Sequence, residues 1–150
     1  MTEQGVTRFK SFGLNCMIRL APGAGHYCGY VEVPRGHHAF RNEIGDKLRV
    51  HGGVTYENWL DDPNDWWIGF DCAHSGDGLN SSEPGWKDFA YVEAEVKSLA
   101  KQIAEWKGPR QRWCVEDTYG VTVWQSLEAA EYHAGGKHDA RIYKMVEVKR

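Results

Sequence analysis

The side chains best suited to chemistry in this chain are His51, Asp71, His74 and Asp77, carried by two segments, His51-Gly52-Gly53-Val54-Thr55-Tyr56 and Trp66-Trp67-Ile68-Gly69-Phe70-Asp71-Cys72-Ala73-His74-Ser75-Gly76-Asp77. Imidazole nitrogens and carboxylate oxygens bind a divalent metal at about 2.0–2.2 Å, and three or four of them leave a coordination position for water. Such a water becomes a hydroxide source near neutral pH, which is the chemistry of a metal-dependent hydrolase. The spacing of these four residues follows no familiar metal motif, and Asp and His beside glycine also serve as caps and turn-forming hydrogen-bond partners.

The same segments admit a second chemistry without a metal. Backbone N–H groups around Gly52-Gly53 and Ser75-Gly76 are suited to cradling an anion, with His51 or Arg35 pairing to a phosphate and Tyr56, Trp66 or Trp67 stacking on a base. Cys72 beside Asp71 and near His74 invites a Cys/His nucleophile. Strand alternation, however, turns Cys72 to the apolar side with Ile68 and Phe70, where a thiol is inert. His37-His38 and the acidic run Asp61-Asp62-Pro63-Asn64-Asp65 read most simply as solvated loop residues.

Strands must deliver these groups. Leu14–Leu20 and His26–Val33 read as a hairpin around Pro22-Gly23-Ala24-Gly25, and Leu48–Glu57 and Trp66–Cys72 as two further strands. In Leu48–Glu57, alternation puts His51, Gly53 and Thr55 on one face and Val50, Val54 and Tyr56 on the other. Gly52-Gly53 signals a bulge or a close backbone approach. In Trp66–Cys72, Trp67, Gly69 and Asp71 share the face opposite Ile68 and Phe70. If the two strands pair, Gly53 and Gly69 leave a depression lined by His51, Thr55 and Asp71, over which a turn brings His74 and Asp77.

Val92, Val96, Leu99, Ala100 and Ile103 recur at helical spacing after Asp88, a capping residue, and Gly108-Pro109 ends the run. The spacing predicts one long helix with a single apolar stripe packed on the sheet. The fold class is therefore α+β: a mostly antiparallel sheet with one long helix, plus a C-terminal β-α-β appendage. The appendage comprises strands Arg112–Glu116 and Gly120–Trp124, a helix over Ser126–Ala134, and a last strand Arg141–Val148. The expected organisation is a flexible N-terminus (1–12), a core domain with the site (13–108) and the appendage (109–150).

A formal charge of −3, with no Lys/Arg stripe, argues against a protein that neutralises many nucleic-acid phosphates. Cys16, Cys28, Cys72 and Cys114 form no C-x-x-C pair, which points to free thiols in a reducing compartment rather than a zinc ribbon or redox dithiol. No apolar run approaches signal-peptide or membrane-span length, so a cytoplasmic protein without membrane partners is expected.

His26-Tyr27-Cys28-Gly29-Tyr30-Val31-x-Val33-Pro34, Val50-His51-Gly52-Gly53-Val54-Thr55-Tyr56, Trp66 through His74 with Asp77, and Tyr91-Val92 with Leu99-Ala100-x-Gln102 occur in this order. Over residues 26 to 104 the pattern resembles a family of small uncharacterised bacteriophage and prophage proteins. The resemblance implies a phage or prophage setting, in the host cytoplasm, and names no reaction. Together with the residues it leads to three expectations. The first is a binder of a small polar, phosphorylated or nucleotide-like ligand, acting on host metabolism or sequestering a host immune signal, with His51, Gly52, Gly53, Thr55, Tyr56, Trp67, Asp71, His74 and Asp77 lining the site. The second is a hydrolase with a divalent metal on His51, Asp71, His74 and Asp77. The third is an interaction module that inhibits a host protein.

Overall fold

A computed structural model describes residues 5–62, 64–108, 111–117, 120–124, 131, 134–135 and 141–146. The chain divides into two compact units, residues 1–106 and 107–150.

In the first unit, hydrophobic alternation builds a five-stranded antiparallel sheet of order β1-β2-β3-β5-β4. Its strands are β1 (Val6–Ser11), β2 (Leu14–Leu20), β3 (Tyr27–Glu32), β4 (Tyr56–Asn58) and β5 (Trp67–Asp71). Leu14, Cys16 and Ile18 on β2, Val31 on β3 and Ile68 and Phe70 on β5 form the buried face, which Val33 and Cys72 extend just past the strand ends. The expected hairpin is the β2–β3 pair, in register from Cys16 opposite Val31 to Leu20 opposite Tyr27.

Helix α1 (Phe89–Ala104) covers that face. Asp88 caps it, its carboxylate accepting the Tyr91 N–H at 2.8 Å. Val92, Val96, Leu99, Ala100 and Ile103 are all fully buried, as the stripe predicts. Burial of a Val, Leu or Ile side chain contributes ~1.5–3 kcal/mol, so this stripe dominates the attachment of the helix. Gly29 sets how closely it sits: a Cβ there would lie 2.4 Å from Val96 Cγ2 and 2.6 Å from the Phe70 ring.

Two expectations about this unit are corrected. Residues 6–11, expected within a flexible tail, pair along their whole length with β2 as an edge strand. The expected strand Leu48–Glu57 survives only at its end, as β4. Around His51 and Gly52 the chain turns instead, with Gly53 N–H donating to Val50 O at 2.9 Å. The turn is possible because Gly52 and Gly53 both have positive φ, 66° and 88°, which an extended strand does not accommodate.

The second unit contains a three-stranded antiparallel sheet of order β7-β6-β8, from β6 (Gln111–Asp117), β7 (Gly120–Trp124) and β8 (Arg141–Val146). These match the three expected strands. The helix expected over Ser126–Ala134 falls mostly outside the described residues, as do the last two positions of Arg141–Val148.

Candidate metal centre

Asp77 is the hub of the site. Its side chain is only 6% exposed, and its Oδ2 faces three groups: His51 Nε2 at 2.8 Å, the His74 backbone N–H at 3.0 Å and His74 Nδ1 at 3.4 Å. Lys87 Nζ lies 3.7 Å from the other oxygen. Burial alone would raise this carboxyl. The hydrogen bonds from His51 and the His74 amide, with the charges of His51 and Lys87, outweigh burial and hold it below the usual carboxylate range.

An ionised carboxylate can only accept hydrogen bonds. His51 therefore carries a proton on Nε2, and its Nδ1 lies 3.0 Å from the Tyr91 hydroxyl, accepting from it when the ring is neutral. Burial, followed by the nearby Glu95 carboxylate, raises the Tyr91 phenol, which keeps the O–H available as a donor. Tyr91 is nonetheless 39% exposed, so this network reaches the surface.

Helix α1 holds the His51 turn by its polar edge. The Gln102 side-chain amide brackets the Arg49 peptide, accepting its N–H at 2.8 Å and donating to its carbonyl at 2.7 Å. Glu95 Oε2 accepts the His51 N–H at 2.7 Å. From the other side, the turn after β5 brings in His74, with Asp77 N–H donating to His74 O at 2.9 Å. The His51 and His74 rings meet edge to face, 5.5 Å apart. Gly52 touches the His74 ring so closely that a Cβ there would fall 2.0 Å from its Cε1. Thus the close approach expected of the glycine pair occurs at Gly52, whereas Gly53 borders open space.

Among the described residues, His51, His74 and Asp77 are the group whose metal-ligating atoms lie within 4.8 Å of one another. Asp71, expected as a fourth ligand, stands beside them. Its Oδ1 is 4.0 Å from His74 Nδ1 and accepts the Ala73 N–H, while Oδ2 accepts the Thr55 hydroxyl at 2.8 Å. Thr55 therefore orients Asp71. Tyr56 and Trp67 are engaged elsewhere: the Tyr56 ring packs edge-on against Tyr30 at 5.6 Å, and Trp67 is buried with its indole N–H toward Asp65. The depression expected between Gly53 and Gly69 is absent, because the Tyr30 ring fills the space over Gly69, 2.4 Å from where its Cβ would be. Cys72 and Phe70 are buried as alternation requires, and burial pushes the Cys72 thiol up to about 12, which rules against a thiolate nucleophile.

Tyr91, Glu95 and Lys87 were not among the residues expected in the site. A signal for two of them exists: Tyr91, Glu95, Ser98 and Gln102 recur at helical spacing along one edge of the apolar stripe. No described helix is long and apolar enough to cross a membrane. The chain matches no protein-family model, no curated protein and no solved structure.

Proposed function

We propose that His51 Nε2, His74 Nδ1 and Asp77 Oδ2 bind a divalent cation of the zinc class, and that the chain is a metal-dependent hydrolase. The observation that carries this reading is His74 Nδ1, a buried nitrogen without a hydrogen-bond partner that lies 3.4 Å from the carboxylate oxygen shared with His51. Buried polar atoms are rarely left unsatisfied, and a bound cation would satisfy this one. Around a tetrahedral zinc with bonds of about 2.0 Å, neighbouring ligand atoms are ~3.3 Å apart. The His74–Asp77 separation already fits, and the 2.8 Å His51–Asp77 contact needs to open by about half an ångström.

Surrounding groups support the same choice. Asp71, Asp77 and Glu95 bring three carboxylates to the site against one ammonium, Lys87. That balance favours a cation over the phosphorylated ligand as the primary occupant. Metal-ligating groups also need partners of their own, and the free atoms have them: His51 Nδ1 faces Tyr91, and Asp77 Oδ1 faces Lys87. Three protein ligands leave a position for a water, which the cation would activate for attack on an ester-like substrate. In the phage or prophage setting implied by the resemblance, the substrate would be a host cytoplasmic compound.

The test is elemental analysis of untreated protein, followed by zinc and cobalt titration of chelated protein at neutral pH. We expect one ion per chain, a visible cobalt spectrum of tetrahedral type, and loss of both in a folded His74→Ala variant. Failure of zinc, cobalt and manganese to bind the folded protein would overturn the reading, as would unchanged binding by His74→Ala.

A further inference from the structure

We propose that β1 is a docking edge for an acidic partner: an extended peptide segment with Asp or Glu at alternate positions adds to the five-stranded sheet along Val6, Arg8 and Lys10. The inference stands on the sheet edge alone and is independent of the metal reading.

The register fixes which backbone groups are open. Phe12 and Gly13, with φ of 51° and 80°, make a two-residue hairpin turn, so the flanking Ser11 and Leu14 face each other as a hydrogen-bonded pair. Bonded pairs then recur at every second residue, which turns Phe9, Thr7 and Gly5 toward β2. The Leu20 N–H, donating to Gly5 O at 2.8 Å, continues that series. Val6, Arg8 and Lys10 therefore direct their N–H and C=O groups away from the sheet. β1 ends the strand order, and among the described residues no backbone group bonds to theirs on that side. Water satisfies such groups singly, whereas a second extended chain satisfies them in register.

Side chains choose the partner. Alternation sends Val6, Arg8 and Lys10 to the face opposite helix α1, while Phe9 packs against the core. Arg19, which lies across from Val6 on β2, adds a third cation to that face. Among the described residues, only Arg8 of these three meets a carboxylate, Asp61 at 3.9 Å, and the two side chains are 54% and 80% exposed. Solvent screens such a contact, and an arriving acid replaces it at little cost. Three cations thus gather at one edge of a chain whose formal charge is −3. The same charges reject a second copy of the chain: antiparallel self-pairing centred on Arg8, Phe9 or Lys10 sets cation directly opposite cation. An acidic strand turns that repulsion into attraction, so the edge discriminates by charge as well as by shape.

The experiment is titration of the full chain with a synthetic peptide alternating glutamate and threonine, beside a counterpart alternating lysine and threonine, followed by amide NMR and hydrogen exchange. We expect only the acidic peptide to bind, with the Val6, Arg8 and Lys10 amides gaining protection. Val6→Pro removes one outward N–H at the start of the strand, leaves every charge and the β2 ladder in place, and should weaken binding about five- to tenfold. Arg8→Glu combined with Lys10→Glu should reverse the preference to the lysine peptide, a test independent of any effect of proline on folding. Failure of the acidic peptide to bind, equal binding of the two peptides, or protection confined to amides away from β1 would overturn the proposal. Unchanged binding by folded Val6→Pro would reduce the edge to a charged patch and overturn strand addition, and self-association that protects the same three amides would make the partner a second copy instead.

Discussion

Gly52→Ala and Gly53→Ala form a matched pair that separates backbone strain from the support of His74. Both positions have positive φ, 66° and 88°, so an alanine at either incurs about 1–2 kcal/mol of left-handed strain, offset by ~0.4–1 kcal/mol from its stiffer unfolded chain. Only Gly52 has a neighbour in the way. Its new Cβ would lie 2.0, 2.4 and 2.5 Å from Cε1, Nε2 and Nδ1 of His74, whereas nothing lies within 4 Å at Gly53. Carbon atoms in contact prefer about 3.5–4.0 Å, so the ring or the turn must move by ~1.5 Å, an overpacking cost of roughly 1–3 kcal/mol. Gly53→Ala should therefore lose about 1 kcal/mol and Gly52→Ala about 2–4 kcal/mol in urea unfolding of metal-free protein. Because the displaced ring carries the proposed ligand atom, zinc affinity should fall ~10–100-fold in Gly52→Ala and change little in Gly53→Ala. Equal stability losses, or an unchanged zinc affinity in Gly52→Ala, would refute the claim that Gly52 holds the His74 ring.

Three other perturbations probe the scaffold. Leu99→Ala, at a wholly buried position of the helix stripe, should cost about 2–5 kcal/mol in the same unfolding assay, and a loss below ~0.5 kcal/mol would mean the stripe does not face the core. Gly29→Ala should destabilise by about 1–3 kcal/mol, because Val96 and Phe70 both occupy the space its Cβ would need; a neutral result would show that the helix can lift from the sheet at no cost. Burial raises the Cys16 thiol to about 11 and that of Cys72 to about 12, so alkylation of native protein near neutral pH should spare both, and mass mapping should find them modified only after unfolding.

The helix and the β2–β3 hairpin were legible in the sequence because their signals are local. Apolar spacing, the Asp88 cap and the Gly108-Pro109 stop all act within a turn or two, and the hairpin needs only alternation and a glycine-rich turn. β1 was missed for the opposite reason: an exposed edge strand of Thr, Arg and Lys has little hydrophobic pattern and is defined by its pairing with β2. The convergence of His51, His74 and Asp77 was expected, but by a route the structure does not take. Alternation predicts extended geometry through Gly52 and Gly53, where the chain turns. With that turn, the predicted faces of the strand lose their meaning, and Thr55, Tyr56 and Trp67 part from the histidines.

What brings His51 to Asp77 is the polar edge of a distant helix, through Gln102 to the Arg49 peptide across 53 residues and Glu95 to the His51 amide across 44. Such bonds have no local periodicity in the loop they hold. Their periodicity is in the helix, where Tyr91, Glu95, Ser98 and Gln102 form a second stripe beside the apolar one. An exposed polar stripe alone suggests solvation, but a long side chain ending in an amide or carboxylate can also replace strand pairing by bonding directly to loop peptides. The same stripe begins with Tyr91 against the His51 ring, so the residues that position the turn and the residue that packs on its histidine occupy one edge of one helix. A shift of that edge would consequently move the His51 backbone and its hydrogen-bond partner together, preserving their relation while changing the distance to Asp77.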